Sequence, residues 1–170
     1  MSDPLDAIFR RRSIREYTEE PVSEEAMERL LQAAMAAPSG RNLRPWHLVT
    51  VTDPALLRTL GDKHPYGSMI AKAAAGIAVC GDPSVSHWWV QDCSAATENI
   101  LIAAAGLGLG AVWLGCYTRP EREQAVRDVL GIPPEINVLS LIAIGHPAEH
   151  KEPRSQYEAE KVHRNGWNRS

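Results

Sequence analysis

"ILIAAAGLGLGAVWLGCY", Ile100 to Tyr117, carries no charge over 18 residues, long enough to raise the question of a membrane span. The GLGLG centre argues against one. Each glycine costs a helix interior about 1 kcal/mol relative to alanine, and here three stand at alternate positions. The stretch reads instead as the end of a buried helix, a glycine turn and a strand. That reading makes the chain a layered domain rather than a membrane protein.

The flanks continue in the same style. "SHWWVQDCSAATEN" extends the helix upstream, and downstream come the helix "PEREQAVRDVLG" and the strand "NVLSLIAIGHP" (137–147). The connection from strand 111–117 to strand 137–147 is long enough for a parallel crossover. Earlier in the chain, "SEEAMERLLQAAMAAPSG" predicts a helix with Ser23 as N-cap and Glu24 and Glu25 at the positive end of its dipole. Met27, Leu30, Leu31, Ala34 and Met35 fall on one stripe. "WHLVTV" (46–51) and "GIAVCGD" (76–82) are strands, separated by the helix "DPALLRTLG", capped by Asp53 with Pro54 at its first position. No repeat, low-complexity tract or linker divides the chain. It is read as a single domain, 1–170, of intermingled helices and strands, with 149–170 a polar and aromatic C-terminal wrapping tail.

Composition excludes several functions. A formal net charge of -3 argues against a general nucleic-acid binder, which carries a basic excess. Cys80, Cys93 and Cys116 are too widely spaced for a zinc knuckle or a CxxC pair. Their odd number and the lack of a signal peptide point to a reducing cytoplasm. The six histidines show no metal-binding spacing, so no metal is expected. There is no G-x-S-x-G elbow and no phosphate-binding Walker loop. Any chemistry is therefore expected to belong to a cofactor.

Against the acidic balance, "RRRSIREY" (10–17) packs four arginines into eight residues. Arg11, Arg12 and Arg15 around the Ser13 hydroxyl suit a phosphate. Equally, cations favour a helix C-terminus, and "PLDAIFRRR" reads as one. "AAPSGRNLRPWH" (36–47) is a turn between helix and strand in which Asn42 carries both a donor and an acceptor. "GLGLGAVWLG" follows a helix, so the dinucleotide-binding context is missing. Gly115 is better read as letting a flat ligand approach the backbone.

Taken together and in order, "FRRRSIREYTEEPV", "AAPSGRNLRPWHLVTV", "VQDCSAATENILIAAAGLGLGAVWLG" and "IAIGHPAEHKEPR" resemble the nitroreductase family of FMN-dependent oxidoreductases. The resemblance runs from about Leu5 to about Trp167. It implies an α+β fold, a mixed central sheet flanked by helices, in an intertwined homodimer with FMN at the subunit interface. It implies that Arg11 and Ser13 hold the FMN phosphate, with Arg12 along the ribityl chain and Arg15 near the N1/O2 side of the ring. Pro38, Ser39, Gly40 and Asn42 would come from the partner subunit. Leu114 and Gly115 would meet the N5/O4 edge, and Arg154 would return to the phosphate. No protein residue is expected to be catalytic, because the flavin N5 does the chemistry. NADH or NADPH is the implied reductant and a nitroaromatic, quinone or similar small electron-poor molecule the acceptor, in ping-pong kinetics. Related flavin chemistry (dehalogenation, azoline oxidation) and a low-turnover redox sensor are the alternatives. The chain departs from the family pattern at Arg44, Ser68, Glu98 and Glu152.

Overall fold

The computed structural model describes residues 5–167. The ends of the 1–170 domain and of the 149–170 tail, residues 1–4 and 168–170, lie outside the described residues. The elements run α1 (Asp6–Arg10), α2 (Glu24–Met35), β1 (Trp46–Val51), α3 (Pro54–Lys63), β2 (Ala75–Gly81), α4 (Trp89–Gly106), β3 (Gly110–Gly115), α5 (Pro120–Leu130) and β4 (Asn137–Gly145).

Local chemistry explains most of these boundaries. The Ser23 hydroxyl accepts from the Ala26 N–H at 3.1 Å, and the Asp53 carboxylate accepts from the Ala55 N–H at 2.7 Å. These bonds satisfy donors that a helix start would otherwise leave orphaned. The glycine turn of the opening stretch begins at Gly106. Gly108 takes φ +76°, and Gly110 starts β3 where a Cβ would come within 2.6 Å of Ile14. Met35 is a departure from its expected stripe, at 57% exposed. Eight positions beyond Met27 it has rotated about 80° around the helix, off the buried face.

The four strands form one sheet in the order β1-β2-β4-β3, and all three pairings are antiparallel. Parallel pairing is confined to an isolated bridge between Ser13 and Ala111. The α+β class with a helix-flanked sheet holds. The connection through α5, however, returns the chain antiparallel rather than as a parallel crossover. A connection long enough for a crossover permits parallel pairing but does not require it, and the apolar strands do not decide it. They mean burial on both faces, which is usual for parallel sheets but not exclusive to them.

Alternate residues do face opposite layers. Ile77 and Val79 pack with Leu30 and Ala34 of α2 and Ile100 of α4. Ala78 and Cys80 pack with Leu57 and Leu60 of α3 and Val126 of α5. A register shift between Val79 and Cys80 opposite β4 is the one irregularity in the central pair. Helices thus cover both faces, and the exposed backbone that matters for function is the free edge of β3.

Candidate functional site

The arginine segment leaves α1 at Arg11 and runs extended along that free edge. The Ile14 N–H donates to the Ala111 carbonyl at 3.0 Å, which covers the beginning of β3. On its other side the segment meets residues 147–154 running the opposite way. Tyr17 bridges Pro147, and the Ala148 N–H donates to the Glu16 carbonyl at 2.9 Å. The Arg15 N–H donates to the Glu149 carboxylate at 2.6 Å, and Lys151 Nζ donates to the Ser13 carbonyl at 2.6 Å. Arg12 donates to the Glu152 carbonyl, and the Arg154 N–H donates to the Phe9 carbonyl at 3.1 Å. A two-stranded ribbon therefore carries the Arg154 backbone to Phe9 at the end of α1.

Glu149 and Lys151 are site-forming residues that the sequence reading missed. Lys151 also reaches the Glu149 carboxylate, at 3.0 Å. The Arg15 backbone N–H first, then Lys151, hold Glu149 below the usual glutamate range. A carboxylate depressed on folding adds stability that is complete above its unfolded value, about 4.3, and lost as pH falls through the lower folded value. Thermal stability should therefore drop on acidification below about pH 4, and Glu149→Gln should flatten that drop. Melting scans of both proteins from neutral pH downward check this. Parallel curves would remove Glu149 as the cause.

Extended backbone sends successive side chains to opposite sides. Arg15 lines a cleft of about 260 Å³ with His64, Tyr66, Leu114 and Gly115. Arg12 instead lines a separate hollow of about 230 Å³ with Arg10, Ile14, Leu109 and Lys151. The structure thus separates Arg12 from Arg15. Arg10 pairs with Asp6 at 2.8 Å on the exposed face of α1. Arg11 Nε lies 3.3 Å from the Glu98 carboxylate of α4, which leaves the terminal nitrogens of its fork to meet an anion. Glu98, a departure from the family pattern, therefore orients Arg11. Glu152, another departure, contributes its carbonyl to Arg12.

At the far end of β3, Gly115 leaves open space, and a Cβ there would meet nothing within 4 Å. Its carbonyl has two side-chain neighbours. His64 Nε2 lies 3.3 Å away, and Arg122 of α5 donates at 3.3 Å. The Tyr66 N–H donates to His64 Nδ1 at 3.2 Å. With a donor at Nδ1 and an acceptor at Nε2, the imidazole is neutral and carries its proton on Nε2. Burial pushes its pKa down, in keeping with that form. Ser68 is exposed, but a cation does reach this segment, since the Arg122 guanidinium lies 5.1 Å from the centre of the Tyr66 ring.

The Pro38–Asn42 segment forms a second group. Arg41, Asn42 and Arg44 take φ +52°, +57° and +50°, a left-handed region costly for non-glycine residues. Four hydrogen bonds hold the turn, one of them from the Leu43 N–H to the Gly40 carbonyl at 3.1 Å. Arg44 N–H donates to Ser39 Oγ at 3.0 Å, Asn42 N–H to the Ser39 carbonyl at 2.9 Å, and Gly40 N–H to Asp92 Oδ1 at 2.9 Å. Asp92 is buried, and its other oxygen accepts from Ser86 Oγ at 2.8 Å. Gly40 is required because a Cβ would stand 2.7 Å from the Trp88 ring. Within one chain this turn meets α4 at Asp92 and the arginine ribbon meets it at Glu98, roughly 9 Å apart along the axis. Among the described residues no hydrogen bond or ion pair links Pro38, Ser39, Gly40 or Asn42 to Arg11, Ser13 or Arg154. Asp92 was missed because a lone acid in a helix's first turn normally reads as dipole complementarity.

Cys80, Cys93 and Cys116 are free and buried, and burial pushes each thiol up to about 12, so none is poised as a nucleophile. Among the described residues no cluster could hold a metal ion, and no helix is long and apolar enough to cross a membrane.

Fold and site together define an α+β domain with a cation-rich ribbon and an open cleft at one sheet edge. The sequence pattern of the Nitroreductase family matches residues 8–79 and 63–146. An Archaeoglobus fulgidus protein named "Putative NADH dehydrogenase/NAD(P)H nitroreductase" is 45% identical, covering 98% of this chain and 100% of its own. A solved Bacteroides thetaiotaomicron structure of the same name is 40% identical, with TM-score 0.95, covering 98% of this chain and 100% of that one. A Clostridium difficile structure, "FMN-dependent Nitroreductase", is 29% identical with TM-score 0.91, covering 96% and 99%. The chain belongs to the nitroreductase family.

Proposed function

We propose that this chain is an FMN-dependent oxidoreductase. It would take reducing equivalents from NADH or NADPH and pass them to a small electron-poor acceptor such as a nitroaromatic or a quinone. The observation that supports this reading is the ribbon that ties the Arg154 backbone to Phe9, two residues before Arg11, along the sheet edge where Gly115 leaves an open face. The donor set fits a phosphate monoester, and the missing Cβ fits a flat ring system laid against backbone. The names of the relatives agree with it.

Bound FMN supplies hydride acceptance and donation. The chain's own contribution is electrostatic. Arg11, Arg154 and the Ser13 hydroxyl would hold the phosphate, and Arg12 would reach the ribityl chain only by giving up the Glu152 carbonyl. The Arg15 cation on the cleft wall would favour the more negatively charged reduced cofactor. Leu114 and Gly115 would form the wall against the ring. One site serving reductant and acceptor in turn gives ping-pong kinetics.

The same reading makes the protein one domain over 1–170, working as an intertwined homodimer in the cytoplasm, without nucleic acid as partner. Pro38, Ser39, Gly40 and Asn42 would then reach the neighbour's flavin. Exposed apolar side chains support a second copy: Ile8 and Phe9 on α1, and Tyr157 and Trp167 in the tail, at 72% and 80% exposed. Three free cysteines agree with a reducing compartment.

The decisive experiment is an absorbance spectrum after incubation with FMN and desalting, followed by anaerobic titration with each nicotinamide and product analysis on an acceptor panel. Retained flavin that bleaches and is reoxidised by acceptor supports the proposal. Protein that stays colourless overturns it, and bleaching without turnover leaves only the redox sensor. Gly115→Ala adds a local check. Its melting temperature should stay within about 2 °C of the parent, since an alanine is no poorer in a strand than glycine, while FMN retention falls. Unchanged retention would move the ring away from Gly115.

A further inference from the structure

The cleft wall at Gly115 is built by more than its own strand. His64 ends α3 and Arg122 begins α5, yet both converge on one carbonyl, and Tyr66 in the turn after α3 braces each of them. His64 is 3% exposed, and both its ring nitrogens are spent on backbone, one on Gly115 and one on Tyr66. Such an imidazole has no proton to offer a substrate. Arg122 reaches the same carbonyl through one terminal nitrogen while its face lies over the Tyr66 ring. Its Nε is buried without a hydrogen-bond partner among the described residues. A buried N–H left unpaired costs free energy, so the site holds this cation in place against its own interest in water.

We propose that His64 is a positioning residue which, with Arg122, clamps the Gly115 carbonyl into the protein wall and offsets its negative end. The proposal rests on the FMN reading above. A free carbonyl oxygen in the wall of a small cleft would oppose negative charge gained by a ring beside it. Two N–H donors on that oxygen, one of them cationic, remove the opposition. The clamp therefore eases reduction of the bound flavin without a side chain touching it.

The test is the midpoint potential of FMN bound to the full chain, measured with dye equilibration for wild type, His64→Leu, His64→Gln and Arg122→Met. Loss of the His64 donor should shift the reduced-to-oxidised ratio about tenfold against reduction, which is about 30 mV downward for a two-electron couple. Arg122→Met should move in the same direction. His64→Gln can still donate to the carbonyl and should recover at least half of the shift, and FMN affinity should change less than about threefold in all three. Should His64→Leu not fold, Arg122→Met against wild type carries the comparison, since Arg122 is only partly buried. Potentials that match wild type in the folded variants, or a glutamine variant as displaced as leucine, overturn the clamp. Wild-type protein that takes up no FMN overturns the underlying reading instead, and that arm is read first.

Discussion

Arg11→Ala lowers FMN affinity ten- to a hundredfold, the expected result of removing a set of charge-assisted hydrogen bonds worth about 1.5–3 kcal/mol. The residue is already aimed. Glu98 holds Nε at 3.3 Å, so the terminal nitrogens are presented at little further cost in side-chain freedom. Arg154→Ala should weaken binding by a similar factor, because the ribbon fixes its backbone at Phe9. The two changes should be less than additive if both arginines hold one phosphate. Fluorescence titration of FMN with each variant and the double variant measures this. Wild-type affinity in both single variants would place the phosphate elsewhere. Glu98→Gln should fall between wild type and Arg11→Ala, since it keeps an acceptor for Nε without the charge.

Asp92→Ala is expected to be the most destabilising single change at the site, costing about 3 kcal/mol. Two hydrogen bonds to a buried charged group are lost, and the Gly40 N–H and Ser86 hydroxyl are left without that partner. For a chain of this size that corresponds to a melting temperature lower by roughly 6–12 °C. The turn it holds contains three left-handed non-glycine residues, so it should relax once Gly40 is released. Asp92→Asn keeps an acceptor for Gly40 and should cost about 1 kcal/mol. Thermal unfolding of the two variants gives the comparison. Equal losses would show that only the charge matters, whereas wild-type stability in both would remove Asp92 as the anchor.

Much of this was legible in the chain. Ser23 and Asp53 marked helix starts through their capping oxygens, and the glycines at 106, 108 and 110 marked a turn where the structure has one. Strand direction was not legible. Ile77, Val79, Ile142 and Ile144 report burial on one face and Ala78, Cys80, Leu141 and Ala143 on the other, and burial carries no sign for direction. Site membership divided along similar lines. Arginine chemistry made Arg11, Arg12 and Arg15 candidates alike, and only alternation along an extended backbone puts Arg15 at the cleft and Arg12 at a separate hollow.

Asp92, His64, Lys151 and Arg122 were invisible for a common reason. Each acts on backbone outside its own element: 52 positions away for Asp92 and Gly40, 51 for His64 and Gly115, 138 for Lys151 and Ser13, and across the β3–α5 turn for Arg122 and Gly115. By itself the sequence determined which segments form helices and strands and where the cations cluster, because capping, periodicity and side-chain charge are local properties. Only the tertiary structure decided that the tail returns along the arginine segment, that β3 is left as the open edge, and which carbonyl His64 restrains. Those outcomes depend on which distant backbone groups meet once both faces of the sheet are covered.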